Sequence, residues 1–139
     1  MDIKRITDDL SVSPQISAAD MAALKAQGFG AIICNRPDGE TPDQPDFAEL
    51  AAAAKEAGLE ARHIPVSGGI FSDEAVAAYA AALSELPGPI LAYCRSGTRS
   101  ATLWSLAQSG AMPLDDILSA TSKAGYDMSG LADRIAARA

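Results

Sequence analysis

One cysteine, one glycine and two arginines stand together in Cys94-Arg95-Ser96-Gly97-Thr98-Arg99-Ser100. The apolar run Ile90-Leu91-Ala92-Tyr93 leads directly into them, and a helix-forming segment follows directly. A cysteine between a strand end and a helix start meets unpaired backbone N–H groups and the positive end of the helix dipole. Both stabilise a thiolate or a bound oxyanion. Arg95 and Arg99 add full positive charges, and a cysteine in such a field is a nucleophile. The pattern therefore assigns Cys94 as nucleophile and Arg99 as the planar fork that orients an anionic substrate. Arg95, Ser96, Gly97, Thr98 and Ser100 complete an anion-binding loop, in which Gly97 supplies a positive φ and close backbone approach. The Ser100 hydroxyl either bonds the sulfur or caps the helix. The competing reading of Cys94 is a buried structural thiol.

The elements that must position this loop are read from periodicity. Ile3 to Ile6 and Leu10 to Val12 form one or two short edge strands, broken by Ser13-Pro14. Ser17 and Asp20 open a helix that stops at Gly28. Ala31-Ile32-Ile33-Cys34 is a buried parallel strand. The long polar loop from Asn35 to Pro45 is followed by a helix from Asp46 to Ala57, and a strand from Leu59 to Val66 comes next. Ser72 caps a helix reaching Leu86, and Pro87-Gly88-Pro89 ends it. After the Ile90–Tyr93 strand come a helix with Leu103, Trp104, Leu106 and Ala107 inward, one opened by Pro113, and one from about Ser129. This order predicts a single α/β domain over residues 1–139, with a mostly parallel sheet of about four to five strands and helices on both faces. Ligands bind such sheets outside the carboxyl ends of the strands. Cys34-Asn35-Arg36, Val66-Ser67-Gly68 and the Cys94 loop all fall on that rim.

Bulk properties exclude several classes. The net charge of −7 disfavours nucleic acid as a partner and makes the loop a basic island suited to a small anion. No run of eighteen apolar residues exists, so no membrane partner is expected. The polar amino terminus lacks an apolar leader core, and the expected location is cytoplasmic. Two cysteines make no disulfide framework, and one histidine with no Cys-x-x-Cys pair predicts no metal and no cofactor.

The Cys94 loop resembles the anion cradle shared by cysteine-dependent phosphatases and rhodanese-type sulfurtransferases. Together with Ile32-Ile33-Cys34-Asn35-Arg36-Pro37-Asp38-Gly39-Glu40, His63-Ile64-Pro65-Val66 and Leu103-Trp104, it resembles the phosphatase-like domain of beta-lactamase-hydrolase-like proteins. The resemblance implies a dual-specificity (cysteine) phosphatase-like fold. It also implies that Arg36, Asp38 and Glu40 shape a pocket; the other reading is an ordinary Pro-Asp-Gly turn.

Three details separate the two chemistries. Four residues lie between Cys94 and Arg99, as in rhodaneses, where the phosphatase signature has five. Tyr93 stands where phosphatases of this fold place histidine. Ser67 occupies the position of the general acid that expels an alkoxide, and Asp73, at a helix start, has the ordinary task of capping beside a role as that acid. These details favour a sulfurtransferase that moves sulfane sulfur from a small anionic donor, through a Cys94 persulfide, to a thiol acceptor. Association with sulfide- or persulfide-oxidising enzymes accompanies that reading. The alternative is a phosphatase with a phosphocysteine intermediate, and the third reading is a non-catalytic anion or redox sensor. Cys34 is assigned either to the core or to resolving a persulfide on Cys94, and His63 to a strand face or to the site.

Overall fold

Every residue of the two central strands, β3 (Ala31–Cys34) and β5 (Ile90–Tyr93), is buried. Strands covered on both faces read as continuous apolar runs, which is why these two segments are so legible. Their side chains alternate strictly between two cores. Ala31, Ile33, Ile90 and Ala92 enter one core, while Ile32, Cys34, Leu91 and Tyr93 enter the other. The computed structural model describes residues 1–138.

The sheet has five strands in the order β1-β2-β5-β3-β4. Here β1 is Lys4–Arg5, β2 is Leu10–Ser13 and β4 is Glu60–His63. Only β1 runs antiparallel; β2, β5, β3 and β4 are parallel neighbours. The second core is covered by α1 (Met21–Ala26) and α2 (Phe47–Ala57) through Met21, Leu24, Leu50 and Ala54. The first core is covered by α3 (Asp73–Glu85), α4 (Thr98–Ala107), α5 (Leu114–Lys123) and α6 (Ala132–Arg138). Val76, Tyr79, Ala82, Leu103, Trp104, Ile117 and Ile135 are their inward side chains. Each fully buried leucine or isoleucine contributes about 1.5–3 kcal/mol of transfer free energy.

Helix boundaries follow local chemistry. Gly58 ends α2 with a φ of 88°, a left-handed turn. Ser72 Oγ accepts the Ala75 N–H at 3.1 Å to cap α3. Three expectations shift, the first being that Leu10–Ser13, expected at the sheet's edge, is an interior strand buried between β1 and β5. The predicted strand from Leu59 to Val66 is regular only over Glu60–His63, because Pro65 brings no N–H to a ladder. The pairing nevertheless continues: the N–H of Ile64 donates to Cys34 O at 2.9 Å and that of Val66 to Asn35 O at 3.1 Å. Those bonds hold the loop after β4 against the end of β3. Helix α4, expected to bury one face, is buried continuously from Ser100 to Leu106, because α3, α5 and α6 surround it. Its buried hydroxyls turn back on the helix, Thr102 Oγ1 donating to Thr98 O and Ser105 Oγ to Ala101 O.

Candidate active site

Tyr93, the last residue of β5, points into the α1/α2 core, and Cys94 follows it at the sheet's carboxyl edge. The chain then turns sharply at Gly97, whose φ is 93°, and α4 begins at Thr98. That turn aims the Gly97 N–H at the Cys94 sulfur, 3.1 Å away. The first helical bond of α4 runs from Ala101 N–H to Gly97 O, so the preceding N–H groups of the first turn have no intrahelical partner. One of them, from Thr98, donates to Ser96 Oγ at 3.4 Å. Cys94 itself is fully buried, while Arg95, Ser96 and Thr98 form an exposed rim on which the Ser96 and Thr98 hydroxyls bond each other at 3.1 Å.

Arg99 lies in the first turn of α4 and reaches across the loop. Its Nη1 donates to Glu40 Oε2 at 2.7 Å and to Val66 O at 2.8 Å, and its Nη2 donates to Glu40 Oε1 at 2.8 Å. Three of five N–H groups are thereby engaged, all on the outer end of the guanidinium. The Nε–H and one Nη2–H remain. Hydrogen bonds to Glu40 hold the Arg99 guanidinium more firmly protonated than usual, and the charge and hydrogen bonding of Cys94 add to this. The sulfur and this arginine therefore share one site.

Glu40 also accepts from Arg36 Nε at 2.9 Å. Its carboxyl is lowered to about 2, first by the hydrogen bonds from Arg99 and then by those from Arg36, against the cost of burial. The folded value lies below the ordinary 4.5, so the clamp's stabilisation is complete above about pH 4.5 and fades as pH falls towards 2. Thermal unfolding across this range checks it. Wild type exceeds Glu40→Gln in Tm by a constant margin near neutrality, and the margin shrinks between about pH 4.5 and 2. A margin indifferent to pH removes the clamp.

The remaining rim residues have distinct surroundings. Asn35 Nδ2 donates to Ile64 O at 2.9 Å, and its Oδ1 accepts from Ser100 Oγ at 2.8 Å. Ser100 thus ties the loop's helix to the end of β3, and its hydroxyl spends its proton on Asn35 instead of capping its own helix or bonding the sulfur. Asp38 Oδ1 accepts the Phe47 N–H at 2.8 Å and so caps the start of α2. Cys34 donates to Arg36 O at 3.3 Å, and burial pushes its thiol up. His63 stacks on Phe47 with ring centroids 4.6 Å apart, and its Nε2 meets Arg36 O at 3.0 Å. Ser67 is exposed on the turn after β4. Asp73 is exposed and pairs with Arg138.

Two contributors escaped the sequence reading. Tyr126, between α5 and α6, donates its hydroxyl to Ser96 O at 3.2 Å and lies against Gly97. Gln15, just beyond β2, accepts from Arg36 Nη1 at 3.0 Å. Both are far from the loop in sequence and carry no motif, so only packing brings them in.

Residues 2–111 match the family model described as beta-lactamase hydrolase-like protein, phosphatase-like domain. A beta-lactamase hydrolase-like protein of Agrobacterium fabrum is 37% identical over 126 residues, covering 89% of this chain and 29% of that protein. The chain thus spans less than a third of the length of this curated relative. The crystal structure of a candidate phosphatase from Neisseria meningitidis superposes with a TM-score of 0.87 at 33% identity, covering 100% of this chain and 99% of that one. Tk-PTP in its active form has a TM-score of 0.69 at 17% identity over 96% of this chain and 92% of its own, a likeness of fold alone. The sheet is thus of the dual-specificity phosphatase-like kind.

These findings overturn the expectation of a rhodanese-type sulfurtransferase, because both the family and its 33% identical structure are phosphatase-like. The geometry explains why the three sequence details misled. A four-residue spacing still puts Arg99 in one site with the sulfur, because Gly97 turns the chain and α4 starts at once. Tyr93 is buried in the α1/α2 core, so its identity reports packing rather than chemistry. A missing general acid restricts the leaving group without excluding phosphoryl transfer.

Proposed function

Because the chain belongs to the beta-lactamase hydrolase-like phosphatase-like domain family, we propose that it is a cysteine-dependent phosphatase acting on a small anionic phosphate compound. The observation that carries this reading is the state of Arg99. Its outer fork is fixed on Glu40 and Val66 O, its Nε–H and remaining Nη2–H are not spent on those bonds, and Cys94 is among the groups that hold it charged. A guanidinium held from behind presents those two N–H groups to two phosphoryl oxygens with little reorganisation.

In the first step the Cys94 thiolate attacks phosphorus, an S–P bond forms and the ester or anhydride P–O bond breaks. Backbone N–H groups of the loop and Arg99 receive the equatorial oxygens. In the second step water attacks the phosphocysteine and the S–P bond breaks, releasing orthophosphate. Cys94 has no surface open to water in this structure, so the exposed Ser96–Thr98 rim must yield as substrate enters.

Incubation with p-nitrophenyl phosphate, acid-quenched and read by peptide mass spectrometry, is expected to place a phosphoryl group on Cys94 with steady release of nitrophenolate. The absence of both product and adduct would end the proposal.

A further inference from the structure

A cavity of about 260 Å³ opens beside the catalytic loop and is lined by Gln15, Arg36, Thr41, Asp43, Gln44 and Arg95, with Pro45. Arg36 is the unusual member. Its side chain is only 5% exposed, yet its head reaches Gln15 and Thr41, which themselves line the cavity. Its Nε, Nη1 and Nη2 each spend one N–H, on Glu40, Gln15 and Thr41, and two N–H groups are left over. A buried guanidinium with unspent donors at a cavity wall is a costly arrangement unless an anion completes it. Arg95 lines the same cavity, is exposed, and joins no ion pair among the described residues.

The cavity is linked to the catalytic site through two residues. Arg95 is the residue next to Cys94, and Glu40 bridges Arg36 at 2.9 Å to Arg99 at 2.7 Å. Three arginines against Glu40 and Asp43 leave one net positive charge across the two sites, within a chain of net charge −7. The loop after β4 meanwhile offers Ser67, Gly68, Gly69 and Ile70, none of which can protonate a leaving oxygen. Glu40 is held ionised by its two arginines, Asp38 caps α2, and Asp73 pairs with Arg138. A leaving group here must depart without a proton donor, and the arginine pair is placed to receive a departing anion.

Resting on the phosphatase reading, we propose that Arg36 and Arg95 form a leaving-group subsite for a second phosphoryl group, and that the preferred substrate is a phosphoanhydride ending in a diphosphate. The Cys94 thiolate attacks the terminal phosphorus, the S–P bond forms and the bridging P–O bond breaks. Its electron pair departs on the bridging oxygen of the inner phosphate, a far weaker base than an alkoxide, between Arg36 and Arg95. Water then attacks the phosphocysteine; one of its protons stays with orthophosphate, the other passes to solvent, and the thiolate is restored. Asp43, on the exposed rim, opposes the second phosphate and keeps the empty cavity from being too positive.

The test compares kcat/KM for inorganic pyrophosphate with that for p-nitrophenyl phosphate, in wild type, Arg95→Gln and Asp43→Asn. The expected ratio favours pyrophosphate in wild type, falls at least about tenfold in Arg95→Gln, and rises in Asp43→Asn. Isothermal titration of pyrophosphate and of orthophosphate into Cys94→Ser gives the binding counterpart, with pyrophosphate tighter and that advantage dependent on Arg95. Nitrophenyl phosphate turnover with a ratio unmoved by both variants would overturn the subsite alone. A fall on Asp43→Asn would make Asp43 the missing acid and overturn it too. No turnover of either compound and no adduct on Cys94 would instead defeat the phosphatase reading beneath it.

Discussion

Cys94→Ser loses phosphatase turnover by about 10⁴-fold or more while folding as before. The sulfur is the only atom at the loop floor that can make a covalent bond to phosphorus, and a hydroxyl there has no neighbouring base to activate it. Structure survives because Oγ takes the same position beneath the loop and accepts the Gly97 N–H that now reaches the sulfur at 3.1 Å. Unfolding midpoint and circular dichroism should therefore match wild type, so the loss belongs to chemistry. A serine variant retaining a tenth of the activity would move the nucleophile elsewhere.

Gly97→Ala is expected to cost about 1–3 kcal/mol of stability and roughly a hundredfold in activity. Two separate strains act at this position. The φ of 93° is one that residues with a Cβ rarely adopt, and a Cβ there would collide with the Tyr126 hydroxyl, with the ring Cζ 3.0 Å away. Relief moves the Gly97 N–H off the sulfur and rotates the start of α4, which carries Arg99. A shift of about 1 Å is enough for such a loss in rate. Adding Tyr126→Phe removes the hydroxyl collision but neither the φ strain nor the ring contact, so the double variant recovers part of the stability and less of the activity. Chemical denaturation and steady-state kinetics on the three proteins measure it. An alanine variant with wild-type stability and rate would show that the loop does not need this turn.

The orphaned hydroxyls of Tyr79 and Tyr93 mark what the two cores tolerate around the site. Tyr79 belongs to the core under α3 and α4, and burial drives its phenol up, with the charge of Cys94 adding to the effect. Tyr93 belongs to the opposite core beside Cys34 and is likewise pushed up by burial. Each keeps its proton, so the sheet's carboxyl edge is flanked by neutral phenols while the charges gather on the loops above.

The elements are legible in the sequence alone, and so is the candidate nucleophile. Strands β3 and β5 are apolar at every position because both faces are covered, and helices carry their own boundary signals, stops at Gly28 and Gly58 and a start at Ser72. Cys94, Gly97 and Arg99 are legible together because a strand–loop–helix junction is local, and local geometry is written in neighbouring residues. Which way the arginines face is set by packing. Glu40 meets Arg99 from 59 residues away, Asn35 meets Ser100 from 65, and Tyr126 closes over Ser96 from 30. No spacing rule connects such partners, since parallel strands bring them to one rim only after the crossovers are made. Counting four residues in a loop misjudged the chemistry because a spacing says nothing of where a fork held from behind is aimed, and the family and its 33% identical structure corrected it.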